Sequence, residues 1–109
     1  MTEKLREEIE NKLLYIQNNY NNTYITYILL SKDTITGHKQ QLVCIYKSKL
    51  SLITKVDRDI WFLILRRDDK KINCSISIDE NMISNIEIKQ QDDKYFATIV
   101  CEVIYNDYY

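Results

Sequence analysis

The hydrophobic period of this chain changes once, near residue 22, and that change constrains the fold more than any other feature. From Thr2 to about Asn19, the residues Leu5, Ile9, Leu13, Ile16 and Tyr20 recur at steps of three and four with Lys and Glu between them. This spacing predicts one amphipathic helix. Thr2 is placed to cap it, Glu3 suits the positive end of the helix dipole, and "NNYNN" ends it, because Asn readily takes a left-handed C-cap conformation.

Beyond that point apolar residues alternate with polar ones, and polar breaks come about every ten to twelve residues, the pattern of an antiparallel meander. Strands are expected near "TYITYILLS", "QQLVCIYK", "LSLITKV", "IWFLILRR", "INCSISI", "ISNIEIKQ" and "KYFATIVCEVIY". The break "KSK" is the weakest and leaves open whether the second and third of these are two strands or one bent strand. Proline is absent and Gly37 is the single glycine, so turns fall to Asn, Asp, Ser and Lys.

The expected fold class is α+β in a single domain over residues 1–109: an N-terminal amphipathic helix packed on a twisted antiparallel meander of six to seven strands. The arrangement is broadly similar to cystatin-like or NTF2-like folds, a comparison that carries no function. No stretch of residues points to a family. "IWFLILRR" is apolar on both faces, Ile60, Phe62 and Ile64 against Trp61, Leu63 and Leu65, and one helix covers only part of one sheet face. Either the sheet curls around its own core or the second face meets another copy, so a homodimer is expected.

Charge is segregated along the chain although its total is −1. Residues 39–71 hold nine Lys or Arg against four Asp, a net of +5, and residues 72–109 hold two against seven acids, a net of −5. The basic segment supplies Lys47, Lys49, Lys55, Arg58, Arg66, Arg67, Lys70 and Lys71, with Tyr46 and Trp61 among them, a composition suited to phosphate contacts and base stacking. The competing explanation is solvated turn and edge charges facing the acidic third across the sheet.

Sites for chemistry are sparse. Cys44, Cys74 and Cys101 stand about thirty residues apart without a CxxC motif, each in an apolar run, and are expected to be buried small hydrophobes in a reducing compartment. A disulfide between two of them is left open. His38, the single histidine, sits beside Gly37 in a turn. Asp79 with Glu87 and Lys89 outlines the carboxylates and lysine of PD-(D/E)xK nucleases, but Asp/Glu-x-Lys recurs at Glu10, Asp68, Asp69 and Asp92, the preceding proline is missing and no helix follows. No catalytic residue, metal site or cofactor is expected. No secretory signal or membrane span is read, so the expected location is the cytoplasm, or the host cytoplasm if the source is viral.

The leading expectation is a small non-enzymatic protein that occludes a partner macromolecule, in the manner of immunity proteins, antitoxins or viral inhibitors. Its partner would be another protein, met by Tyr108, Tyr109, Asp92, Asp93 and Glu102. The alternatives are a nucleic-acid-binding domain using the basic segment and a small-ligand pocket in a curved sheet. Tyr105 closes the apolar face of the last strand and is expected to be structural.

Overall fold

The computed structural model describes residues 3–67 and 72–105. Helix α1 (Glu3–Asn18) precedes six strands: β1 (Thr23–Asp33), β2 (Lys39–Lys55), β3 (Ile60–Arg67), β4 (Ile72–Asp79), β5 (Ile83–Gln91) and β6 (Lys94–Tyr105). They form one sheet in the order β4-β3-β2-β1-β6-β5. This is the expected helix on a mostly antiparallel sheet, with β1 to β4 as a meander. One pairing departs from meander order: after β4 the chain moves to the far edge, and β6 returns to lie parallel beside β1.

That crossing forces the sheet to curl. Asp79 ends one edge and Ile83 begins the other, with only the 3-10 turn Glu80–Met82 between them. Six strands laid flat would hold those edges about 24 Å apart. Four residue steps span at most about 14 Å. The edges therefore converge at this end, and the sheet wraps around α1.

Ile9, Leu13 and Ile16 of the predicted stripe are buried in one cluster with Ile25, Leu63, Leu65, Ala97 and Ile99 from the sheet. Each fully buried aliphatic side chain of this kind contributes about 1.5–3 kcal/mol. Leu5 and Tyr20, at the ends of the stripe, remain 44% and 42% exposed, and Tyr20 lies past the end of α1 in the 3-10 turn Tyr20–Asn22. Polar side chains fix the helix laterally: Lys12 Nζ donates to the Ile86 carbonyl at 3.0 Å, and Gln17 Nε2 to that of Ile53 at 3.3 Å.

One local expectation is corrected, and one open alternative is decided. The helix does not end on a left-handed Asn: Asn19 has φ −123°, its side-chain amide donates to the Tyr15 carbonyl at 2.8 Å, and Thr23 Oγ1 donates to the Asn19 carbonyl at 2.6 Å. The Asn19 amide thus satisfies the Tyr15 carbonyl and the Asn19 N–H that of Ile16 at 3.1 Å, without a left-handed residue. "KSK" does not divide two strands. Lys47 takes φ 45° as a bulge inside β2, which runs on through Lys55.

The turn between the two sheet edges holds the one fully buried carboxylate among the described residues, Glu80. Its Oε1 accepts from Trp61 Nε1 at 2.5 Å and has Lys55 Nζ at 3.4 Å, while Arg6 Nε lies 3.7 Å from Oε2. The Glu80 N–H donates to the Asp59 carbonyl at 2.8 Å, and Arg6 also pairs with the Asp59 carboxylate. Replacing Glu80 by Ala is expected to cost about 2–3 kcal/mol, since the buried indole N–H loses a charged acceptor, and Glu80→Gln is expected to cost less because its amide oxygen still accepts. Urea unfolding followed by the emission of Trp61, the single tryptophan, measures both; equal losses for the two variants would contradict this account.

Candidate functional site

Alternation divides every strand between a face turned to α1 and a face without a helix. Ile25, Leu50, Leu65 and Ala97 are each at most 1% exposed on the helix side. Their chain neighbours Tyr24, Lys49, Arg66 and Phe96 therefore emerge on the other. Strand register joins these neighbours into one row across the sheet: Asn73 pairs with Arg66, Arg66 with Lys49, Lys49 with Tyr24, Tyr24 with Phe96, and Phe96 with Lys89. Two aromatic rings thus stand at the middle of a row whose flanks are cationic.

The rings of Tyr24 and Phe96 are stacked, with centroids 5.5 Å apart and planes 21° apart. Lys49 Nζ and Lys94 Nζ lie 5.2 and 5.7 Å from the Tyr24 centroid, and Lys47 Nζ lies 5.5 Å from that of Phe96 and 5.2 Å from that of Tyr46. Such contacts hold ammonium groups beside the rings with little loss of hydration. On either side of the ring pair lies a shallow hollow, one of about 410 Å³ reaching to Lys89 and one of about 290 Å³ reaching to Arg66 and Arg67. Lys47 lines both. Together the two hollows are lined by five cations, Lys47, Lys49, Arg66, Arg67 and Lys89, and one carboxylate, Glu87. That carboxylate already has Lys89 Nζ at 3.7 Å.

The basic segment read from sequence is only partly reunited here. Lys47, Lys49, Arg66 and Arg67 converge, and Lys89 and Lys94, which belong to the acidic third, join them. Lys55 does not: it turns to the helix side, where it meets Glu80 and, at 3.7 Å, Glu10. Arg58 sits in the exposed turn between β2 and β3. Trp61, expected as a stacking surface, is 1% exposed and cannot receive a base, since alternation places it under the helix beside Glu80. Tyr46 remains 61% exposed. Lys70 and Lys71 lie outside the described residues.

The residues expected to meet a protein partner do not form one surface. Asp92, at φ 58°, and Asp93 make the exposed turn into β6. Glu102 lies near the opposite end of that strand, about 26 Å from Lys94 at the usual rise, and is bound by Lys39 Nζ at 2.6 Å. Tyr108 and Tyr109 lie outside the described residues, as does the side chain of Tyr105. What sequence reasoning missed is the Tyr24–Phe96 pair. Its two members are 72 positions apart, and only the parallel β1/β6 pairing brings them together.

Other candidates resolve into local roles. His38 lies in the turn organised by the Asp33 carboxylate and by Gly37 at φ 75°. Asp79 accepts from the Asn81 N–H at 2.9 Å, and no group of three His, Cys, Asp or Glu able to hold a metal occurs among the described residues. Cys44 and Cys74 are exposed, contrary to expectation: Cys44 pairs with Ile28 on the face no helix covers, and Cys74 is on the edge strand β4. Cys101 is buried, and burial pushes its thiol up to about 12 although a hydrogen bond with Tyr27 opposes the shift. All three cysteines are free. No helix among the described residues is long and apolar enough to cross a membrane.

Comparison of the chain with protein-family models, curated proteins and solved structures gave no match.

Three outcomes follow from this geometry. Iodoacetamide on the native protein at pH 8 should label Cys44 and Cys74 and spare Cys101 until denaturant is added, as read by intact mass. The raised Cys101 pKa has a stability consequence: its contribution is intact below the ordinary thiol value near 8.5 and is lost as pH rises towards about 12, where the unfolded thiol ionises first. Lys47 keeps a left-handed backbone that costs a non-glycine residue about 1–2 kcal/mol. Lys47→Gly should therefore raise the urea midpoint or leave it unchanged while removing the ammonium shared by both hollows; a clear loss of stability would show that the side chain serves packing.

Proposed function

We propose that this protein is a nucleic-acid-binding domain that works without catalysis through the helix-free face of its sheet. The observation that carries the reading is the cationic and aromatic row from Arg66 through Lys49, Tyr24 and Phe96 to Lys89, which no helix among the described residues covers. Phosphates are attracted by such a surface through release of their counterions, and its aromatic centre offers area to bases. The near-neutral total charge does not oppose this. Many acids lie elsewhere, on α1 at Glu3, Glu7, Glu8 and Glu10, and around Asp59, Asp79 and Glu80, while near the row Glu87 is paired with Lys89 and Asp92 and Asp93 precede Lys94.

Occlusion of a protein partner receives less support, because the acidic residues proposed for it are divided between the two ends of β6. A homodimer through the helix-free face would bury the row, so light scattering with and without an oligonucleotide separates self-association from ligand binding.

Gel shifts or fluorescence anisotropy in 50 mM salt should detect binding at micromolar protein. About four phosphate contacts give a slope of log K against log salt near −3. Lys49→Glu combined with Arg66→Glu should remove most of the binding and roughly halve the slope of what is left. No binding to single- or double-stranded nucleic acid in low salt would refute the reading.

A further inference from the structure

We infer that the ligand of this face is single-stranded, with its bases stacking at the Tyr24–Phe96 pair and its backbone crossing the strands of the sheet along the Arg66–Lys49–Tyr24–Phe96–Lys89 row. The inference rests on the nucleic-acid reading and adds to it the form and path of the ligand.

The rings are its first support. A duplex keeps its bases stacked on each other and presents phosphates and groove edges, for which arginines and lysines suffice. Aromatic rings at the centre of the cations are useful to a strand whose bases are free. Tyr24 and Phe96 are each half-buried and stack on one another at 5.5 Å, so the pair, held by two adjacent strands, keeps the outer ring faces and edges for a base.

The cations are the second support. Lys47, Lys49 and Lys94 are held over the ring faces at 5.2 to 5.7 Å, where an incoming base would lie. A base that takes the ring face displaces the ammonium group, and the adjacent phosphate receives it. Stacking and charge neutralisation thereby occur in one step. The bulge at Lys47, with its left-handed backbone and its N–H bound to Thr26 Oγ1 at 3.1 Å, sets this lysine between the two hollows on either side of the rings.

The path follows from the register. From Asn73 on β4 to Lys89 on β5 the row takes five inter-strand steps, about 24 Å. This length suits about four nucleotides, the low end of single-strand sites.

The test uses fluorescein-labelled oligothymidylate and oligouridylate, each at four and at twelve nucleotides, and a duplex of twelve base pairs, against the full chain in 50 mM salt. Tyr24→Leu with Phe96→Leu keeps apolar volume and removes the aromatic faces; circular dichroism and the urea midpoint confirm that this variant folds. The expected result is at least ten-fold preference for a single strand over the duplex, a loss of about ten-fold in single-strand affinity in the leucine variant with its salt slope unchanged, and no gain in affinity beyond about four nucleotides. The thymidylate and uridylate probes decide between DNA and RNA. Equal binding of duplex and single strand, or a leucine variant that binds as well as the parent, overturns this inference and leaves the nucleic-acid reading standing. Absence of binding to every probe overturns both.

Discussion

The buried carboxylate of Glu80 sits where α1, the end of β2, the start of β3 and the link from β4 to β5 meet, and it contacts a residue from each of the first three. A carboxylate removed from water is costly unless hydrogen-bonded and paired. Here an indole N–H, a lysine and an arginine supply compensation from different parts of the chain; Oε2 has the Arg6 guanidinium at 3.7 Å but no hydrogen bond, so the charge is offset only when all are assembled. The three-residue link that carries Glu80 is also what pulls the two edges of the sheet together. Closure of the sheet, seating of the helix and burial of Trp61 are in this sense one event.

Curling around α1 consumes one face of the sheet, and no helix among the described residues covers the other. The apolar positions of β3 show the division: Trp61, Leu63 and Leu65 are buried beneath the helix, while Ile60, Phe62 and Ile64 are half-buried on the far side. The second face is neither core nor ordinary polar surface. Its middle is occupied by rings and cations whose neighbours on the strands are core residues, which makes their positions as rigid as the sheet itself. A site on such a scaffold needs little ordering when it meets a ligand.

The helix, the strand positions and the inward faces were legible in the sequence because they depend on local periodicity. Ile9, Leu13 and Ile16 fall at helical steps, and Ala97, Ile99 and Cys101 at strand steps, before any tertiary contact is known. The candidate site was legible only in part. The basic residues of 39–71 are visible as a composition, but periodicity cannot tell which of them share a patch. Lys55 was lost to Glu80, Trp61 to the core, and Lys89 and Lys94 were gained from a segment whose net charge is negative. Cys44 and Cys74 lie in apolar runs, yet an apolar run does not reveal whether anything covers it.

What the sequence determined by itself is the content of each element and which side chains share a face, since these follow from the 3.6- and two-residue periods. The tertiary structure alone decided which strands become neighbours. The parallel docking of β6 beside β1, made after the chain crosses from one sheet edge to the other, sets Phe96 against Tyr24 and Lys94 above it. That pairing joins residues some 70 positions apart, and its free energy comes from burying Ile25, Ala97, Ile99 and Cys101 under one helix. No local pattern encodes a contact whose driving force lies on the opposite face of the sheet.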